Sequence, residues 1–435
     1  MDTNTLQELI VNQQEIIKNI QIVPRQYAFA KNSNYILVGM RRAGKSTLLY
    51  KLAQDLVAQG ANWSQIIYLN FEDERLIDFT VDDFQQIVLV AHQLTDKTPY
   101  YFFDEIQNIA GWERFARRMA DQQQHVYITG SNSQMLGQEF ILRLGGRYLT
   151  KYVSPFNFAE YLTALQIPHE KRDLLIAQVR GRVNAAQERY LTYGGLPETV
   201  HNPDARNFLT TVYQNTYLGD IIIRHQVRNP QALRLLLSKV AETVMHEVSY
   251  SSLYKAVKAA GASISRNTVQ DYLDFAEESY LLFKVKNFVY KFADRESKPR
   301  FYFLDNGILN LLLFDKKSAL LENAVAVALH NYYQNDLYTF KSDKNKLDLD
   351  FYLPTAKTAV QVAVRLDDYS REREIGALIK FAQKSQEPHR LIIVTEYQKE
   401  TIKQDGQTIE VMPLADFLLE VAGLGEANYV PDVFG

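Results

Sequence analysis

Eight consecutive residues, Gly39-Met40-Arg41-Arg42-Ala43-Gly44-Lys45-Ser46, constrain this chain more than any other stretch. The apolar run Tyr35-Ile36-Leu37-Val38 leads into them, and Thr47-Leu48-Leu49-Tyr50-Lys51-Leu52-Ala53 leaves with a helical pattern. A buried strand that enters a glycine turn and exits into a helix aims backbone N–H groups and a helix N-terminus at an anion. A chance glycine-rich turn would not need all eight positions in that setting. The pattern is a Walker A phosphate loop, so Gly39, Arg41, Arg42, Ala43, Gly44, Lys45, Ser46 and Thr47 are the expected nucleotide-binding residues. Lys45 would bridge the outer phosphates and the Ser46 hydroxyl would ligate Mg²⁺, which makes ATP and Mg²⁺ the expected cofactors.

Composition narrows the rest. A chain of 435 residues corresponds to about three domains, and 46% hydrophobic with 23% charged residues is ordinary for a globular protein. A net charge of −3 argues against a chain-wide nucleic-acid binder and leaves room for a local basic face. The absence of cysteine excludes disulfides, thiolate catalysis and cysteine zinc sites. Met1-Asp2-Thr3-Asn4 does not open a secretory leader, and no apolar run approaches the roughly 18 residues of a membrane helix. A cytoplasmic protein with no membrane partner is expected.

Residues 5–20 read as an amphipathic helix with Leu6, Leu9, Ile10, Ile16, Ile17 and Ile20 on its apolar face, ended by Pro24. Ile66-Ile67-Tyr68-Leu69-Asn70-Phe71 reads as a second strand running into Glu72-Asp73-Glu74-Arg75. Tyr100-Tyr101-Phe102-Phe103-Asp104-Glu105 is a third and His125-Val126-Tyr127-Ile128-Thr129-Gly130-Ser131-Asn132 a fourth. Strands alternating with helices imply an α/β fold with a parallel sheet and chemistry at the strand C-terminal ends. Asp104-Glu105 has the Walker B form: Asp104 would hold Mg²⁺ and Glu105 would polarise the attacking water. Ser131-Asn132-Ser133 reads either as a γ-phosphate sensor through Asn132 or as a helix N-cap.

Four strings together resemble the prokaryotic AAA-type ATPases that carry a C-terminal restriction-endonuclease-like domain. They are the phosphate loop, Leu69-Asn70-Phe71-Glu72-Asp73-Glu74-Arg75, Phe103-Asp104-Glu105-Ile106-Gln107-Asn108 with Gly111-Trp112-Glu113, and Thr129-Gly130-Ser131-Asn132-Ser133. The resemblance spans nearly the whole chain. It implies that Asn70 restrains Glu105 as a polar switch, the alternative being an ordinary strand-end turn. It also places Arg147, before the strand Tyr148–Val153, where such proteins carry an arginine finger. That finger would reach a neighbouring subunit's γ-phosphate and so imply a homo-oligomer. After Tyr193-Gly194-Gly195-Leu196-Pro197, where many relatives carry a sensor arginine, this chain has Glu198.

The expected domains are 1–155, an AAA-type P-loop ATPase domain with its N-terminal helix; 156–230, a helical lid; 231–299, a winged helix-turn-helix; and 300–435, a restriction-endonuclease-like α/β domain. The third segment resembles a winged helix through Ser251–Val257, the turn at Gly261 and Ser265–Leu273. Its second helix presents Arg266, Asn267, Thr268 and Gln270 to DNA, or else serves only as packing. Lys255 and Lys258 would add phosphate contacts. Nucleases of the last fold need an Asp and then acid-x-Lys on adjoining strands. Here Asp350 fits the first position, Gln361 and Ala363 replace the other two, Arg365 is the substitute cation, and Glu322 lies on the preceding helix. An inactive nuclease-like domain follows. The expected activity is Mg²⁺-dependent ATP hydrolysis that moves the C-terminal domains on DNA or a DNA-associated partner. The alternatives are a slow ATP-held assembly switch and an ATP-gated nuclease.

Overall fold

A computed structural model of the chain describes residues 1–130, 144–313, 317–342, 344, 346–385 and 387–425. The chain divides into two units, Met1–Val153 and a second that begins at Ser154. Among the described residues no helix is long and apolar enough to cross a membrane.

In the first unit, β1 (Asn34–Val38), β2 (Ile66–Asn70), β3 (Tyr100–Asp104), β4 (His125–Thr129) and β5 (Tyr148–Tyr152) form one parallel sheet in the order β2-β3-β4-β1-β5. The first four are continuous apolar runs because both faces of a parallel sheet are covered. The helix Thr3–Asn19 packs on β2 and on the helices Lys45–Ala58 and Phe84–Leu94. It buries Leu6, Leu9, Ile10 and Ile17, whereas Ile16 and Ile20 of the expected apolar stripe are exposed. Gln14 fills the gap, donating to the Ile66 carbonyl at 2.9 Å. Phe71, Phe79, Phe84, Phe103 and Phe115 form an aromatic core, with the Phe84 and Phe115 rings stacked at 4.2 Å.

The second unit opens with the helices Phe158–Ala164, Ala177–Tyr193, Ala205–Asn215 and Pro230–Glu242. Tyr250–Ala259 and Arg266–Glu278 follow, separated by a turn with Gly261 at φ +90°. Eight strands then form one mixed sheet: β6 (Leu282–Asn287), β7 (Arg300–Phe303), β8 (Tyr338–Ser342), β9 (Leu347–Leu353), β10 (Thr358–Val362), β11 (Arg390–Thr395), β12 (Glu400–Gln404) and β13 (Gln407–Pro413). Their order is β12-β13-β11-β10-β9-β8-β6-β7. β6 pairs antiparallel with β7 and parallel with β8, so a boundary at 299/300 would separate β6 from both of its partners in the sheet. The segments expected at 156–230 and 231–299, and residues 300–425 of the last one, all lie within the second unit.

The glycine pair at 194–195 has a packing cause. A Cβ on Gly194, whose φ is +72°, would lie 2.1 Å from an Asp305 carboxylate oxygen, and one on Gly195 would lie 2.3 Å from the Phe156 carbonyl. Asp305 accepts from the N–H groups of Gly195 and Gly307 at 2.8 Å each, locking the end of the helix Ala177–Tyr193 to the start of Asn306–Leu312.

Candidate nucleotide site

The phosphate loop leaves β1 at its C-terminal end. Gly39 (φ +144°), Arg42 (φ +64°) and Gly44 (φ +94°) supply the turn, and the helix Lys45–Ala58 starts immediately with no side chain capping it. Its first N–H groups are thus left to the loop interior, the arrangement that receives an anion. Gly39 is required by close approach, since a Cβ there would lie 2.2 Å from the Val153 carbonyl at the end of β5. Lys45 is buried, its ammonium donating to the carbonyls of Gly39 and Met40 at 3.0 and 3.1 Å. Arg25, ahead of β1, donates to the Ala43 carbonyl at 3.0 Å and so props the loop from outside. Nothing in the spacing of the sequence marks that contact.

Asp104 ends β3 opposite Asn70 of β2, and its carboxylate is 2% exposed. It accepts from the Tyr68 hydroxyl at 2.6 Å and from the Thr129 hydroxyl. Burial pushes its carboxyl above the usual range, hydrogen bonds from Thr129 and Tyr68 pull it back, the Glu105 charge raises it, and the Ser46 hydroxyl pulls it back again. Ser46 and Asp104 thus face one another as hard oxygen donors, which fits Mg²⁺.

Glu105 follows in a left-handed conformation (φ +52°), which turns the chain into the short turn Ile106–Asn108. The Thr129 hydroxyl accepts from the Glu105 N–H at 3.0 Å, and Gln107 donates to the Glu105 carboxylate. One threonine therefore fixes both acidic residues. The Glu105 and Asp104 charges reach Glu72, whose carboxyl is raised chiefly by partial burial and then by Glu105, while Arg41 and Arg42 oppose the shift. Asn70 accepts from the Glu72 N–H at 3.0 Å, the ordinary strand-end turn. Thr47 lies in the first turn of the loop helix. Asn132 falls outside the described residues.

Arg147 lies at the other end of the sheet. Tyr148 is level with Asn34 and Tyr152 with Val38, so Arg147 stands about 13 Å or more from its own phosphate loop along β5. Its guanidinium pairs with Asp121 at 2.5 Å and donates to the Leu144 and Gly145 carbonyls.

In the second unit, Arg266, Asn267 and Gln270 point outward from a helix that buries Val269, Tyr272, Leu273 and Ala276, and the Thr268 hydroxyl is engaged by the Ser265 cap. Lys255 and Lys258 are also exposed. Asp350, Glu322 and Gln361 meet in a cavity of about 960 Å³ also lined by Arg300, Asp348 and Glu374. Arg365 does not reach it: β10 ends at Val362, and Arg365 is exposed beyond the strand. Ala363 packs against the hydrophobic core around Leu391 and Ile393.

The five-stranded parallel sheet and its phosphate loop have the form of a P-loop nucleotide-binding module. Residues 31–162 match the model of an AAA domain family, and residues 184–319 match that of a domain of unknown function (DUF8612). The chain is 28% identical over 422 residues to an uncharacterized protein of Methanocaldococcus jannaschii, covering 94% of this chain and 93% of that one. It is 28% identical over 402 residues to an uncharacterized protein of Haemophilus influenzae, covering 90% and 96% respectively. Among solved structures it is similar to the Walker-type ATPase of Pyrococcus abyssi, at 13% identity and a TM-score of 0.38 over 70% of this chain and 94% of that chain.

Proposed function

We propose that this protein binds ATP with Mg²⁺ and hydrolyses it at the phosphate loop of its first unit. The observation that carries the reading is Thr129, whose hydroxyl joins the Asp104 carboxylate to the Glu105 backbone beside Ser46. Lys45 and the helix N-terminus hold the outer phosphates, Ser46 and Asp104 hold the metal, and Glu105 orients and polarises the attacking water. Mg²⁺, when bound, supplies charge neutralisation on the phosphate oxygens. Arg147 would act on a neighbouring subunit's nucleotide, which its distance from its own loop supports.

In the same proposal, Tyr250–Ala259, Arg266–Glu278 and the β6–β7 hairpin form a winged helix-turn-helix that meets DNA through Arg266, Asn267 and Gln270. The strands β8–β11 with the helices Lys317–Tyr333 and Asp368–Lys384 form a nuclease-like core that does not cut. Phosphate release with and without duplex DNA tests the whole. Mg²⁺-dependent turnover stimulated by DNA, with a stimulation that fades steeply as salt rises, is expected. Near-zero turnover with tightly retained ADP would favour an assembly switch, and ATP-dependent cleavage lost in Asp350→Ala would favour a gated nuclease.

A further inference from the structure

The cavity over β9 and β10 already holds a cation. Arg300, the first residue of β7, is 3% exposed and extends its guanidinium among three carboxylates. One terminal nitrogen lies 2.7 Å from Asp348, and the other lies 3.4 Å from Asp350 and 3.6 Å from Glu322. Two of the acids are also bonded from other sides. The Val362 N–H donates to Asp350 at 2.8 Å, and the Tyr302 hydroxyl donates to Glu322 at 2.8 Å. Gln361 is committed as well, accepting from the Asp350 N–H at 2.7 Å and donating to the Asp348 carbonyl at 3.0 Å. Both ends of its amide thus stitch β10 to β9, a task that a carboxylate, which cannot donate, would not perform.

We infer that the Arg300 guanidinium is the permanent resident cation of this cavity and occupies the place where a nuclease-like core would hold its divalent metal. The inference rests on the nuclease-like reading of the sheet given above. A guanidinium does not lose its proton at any physiological pH, so unlike a lysine it cannot vacate the charge to admit a metal. A divalent ion brought onto the same oxygens would face a fixed positive charge within a few ångströms, held on a side chain that is itself almost fully buried. Cleavage is thus blocked by an occupant and not only by the missing acid-x-Lys pair. Restoring that pair through Gln361→Glu and Ala363→Lys is therefore insufficient while Arg300 remains.

The test is calorimetric titration of the full chain with Mn²⁺ in the absence of nucleotide, reading only the part of the heat that Asp350→Asn removes. The wild-type protein and the Gln361→Glu/Ala363→Lys variant are expected to show no such part. Arg300→Ala is expected to acquire it, with a Kd at least about tenfold below the highest Mn²⁺ concentration at which the other two show none. Asp350-dependent binding in the wild type, or in the double variant with Arg300 intact, would overturn the inference. So would an Arg300→Ala protein that melts cooperatively yet gains no binding. Should Arg300→Ala not fold, Arg300→Met with a similar stem takes its place, and the two Arg300-intact proteins still decide the matter. Gain of Mn²⁺ binding in Arg300→Ala combined with Gln361→Glu/Ala363→Lys, but no nicking of plasmid DNA, would leave the resident cation standing and remove the nuclease-like reading.

Discussion

Thr129 shows what a single hydroxyl does at the nucleotide site. It donates to one acid and accepts from the backbone of the next, so Asp104 and Glu105 are fixed relative to each other by one oxygen. Thr129→Val keeps the shape and the β-branching of the strand but removes both bonds. Hydrolysis is expected to fall by about 10²-fold, the order of loss that follows small misplacement of reacting groups, while ATP binding survives because the loop is untouched. Phosphate release and ATP titration check this, and wild-type turnover in Thr129→Val would contradict it. At this scale the sequence is legible wherever the chemistry is local. Lys45, Ser46, Asp104 and Glu105 declare themselves through neighbours in the chain. Thr129, Tyr68, Arg25 and Gln107 do not, because their partners come from an adjacent strand, from a segment ahead of β1 or from a turn whose path only the fold sets. Asn70 was readable as a switch or as a turn, and its bond to Glu72 N–H is the turn.

Elements follow the same logic. The strands β1 to β4 were visible because each is an unbroken apolar run that ends at a glycine or an acid. β12 was not: its residues are mostly exposed, and its pairing with β13 depends on a hairpin at the polar turn around Asp405 and Gly406, both at positive φ. The Gly194-Gly195 pair is a docking point. Gly194→Ala, which forces a Cβ onto the Asp305 carboxylate at an already left-handed backbone, is expected to cost about 2–4 kcal/mol. Denaturant melts measure it, and a loss below about 0.5 kcal/mol would contradict the packing role.

The helix Lys317–Tyr333 carries a second element-scale consequence. His330 lies flat on Phe283 of β6, ring centroids 4.1 Å apart, and burial of the ring pushes its pKa down to about 4 although the residue as a whole is only partly buried. An unfolded imidazole titrates near 6.5, so between about pH 6.5 and 4 the native state holds fewer protons than the unfolded one. Stability is therefore expected to drop as pH falls through that window, by an amount on the order of 1–3 kcal/mol. His330→Phe should flatten this part of the pH–stability curve. An unchanged slope in that variant would assign the loss to other groups.

At the scale of the molecule, β6, which follows the helices Tyr250–Ala259 and Arg266–Glu278, pairs with both β7 and β8, so the expected boundary at 299/300 falls inside one sheet. Sequence periodicity marks elements and not which sheet a strand enters. Arg147 belongs to this scale, since along β5 it stands at the far end of the sheet from its own loop. If it serves a neighbour, mixing Arg147→Ala with Lys45→Ala protein should restore activity at sites built from one intact half of each, and turnover per chain should rise with protein concentration. Turnover independent of concentration, with no restoration on mixing, would remove the finger.

The central claim is that one loop binds ATP and one carboxylate drives its hydrolysis. Calorimetric ATP binding and phosphate release, measured side by side on wild type, Lys45→Ala and Glu105→Gln, test it most directly. Lys45→Ala is expected to lose binding, because the cation between the phosphates is gone. Glu105→Gln is expected to bind like wild type and release phosphate at least about 10²-fold more slowly, because an amide is a poor general base. Wild-type hydrolysis by Glu105→Gln, or undiminished ATP binding by Lys45→Ala, would contradict it.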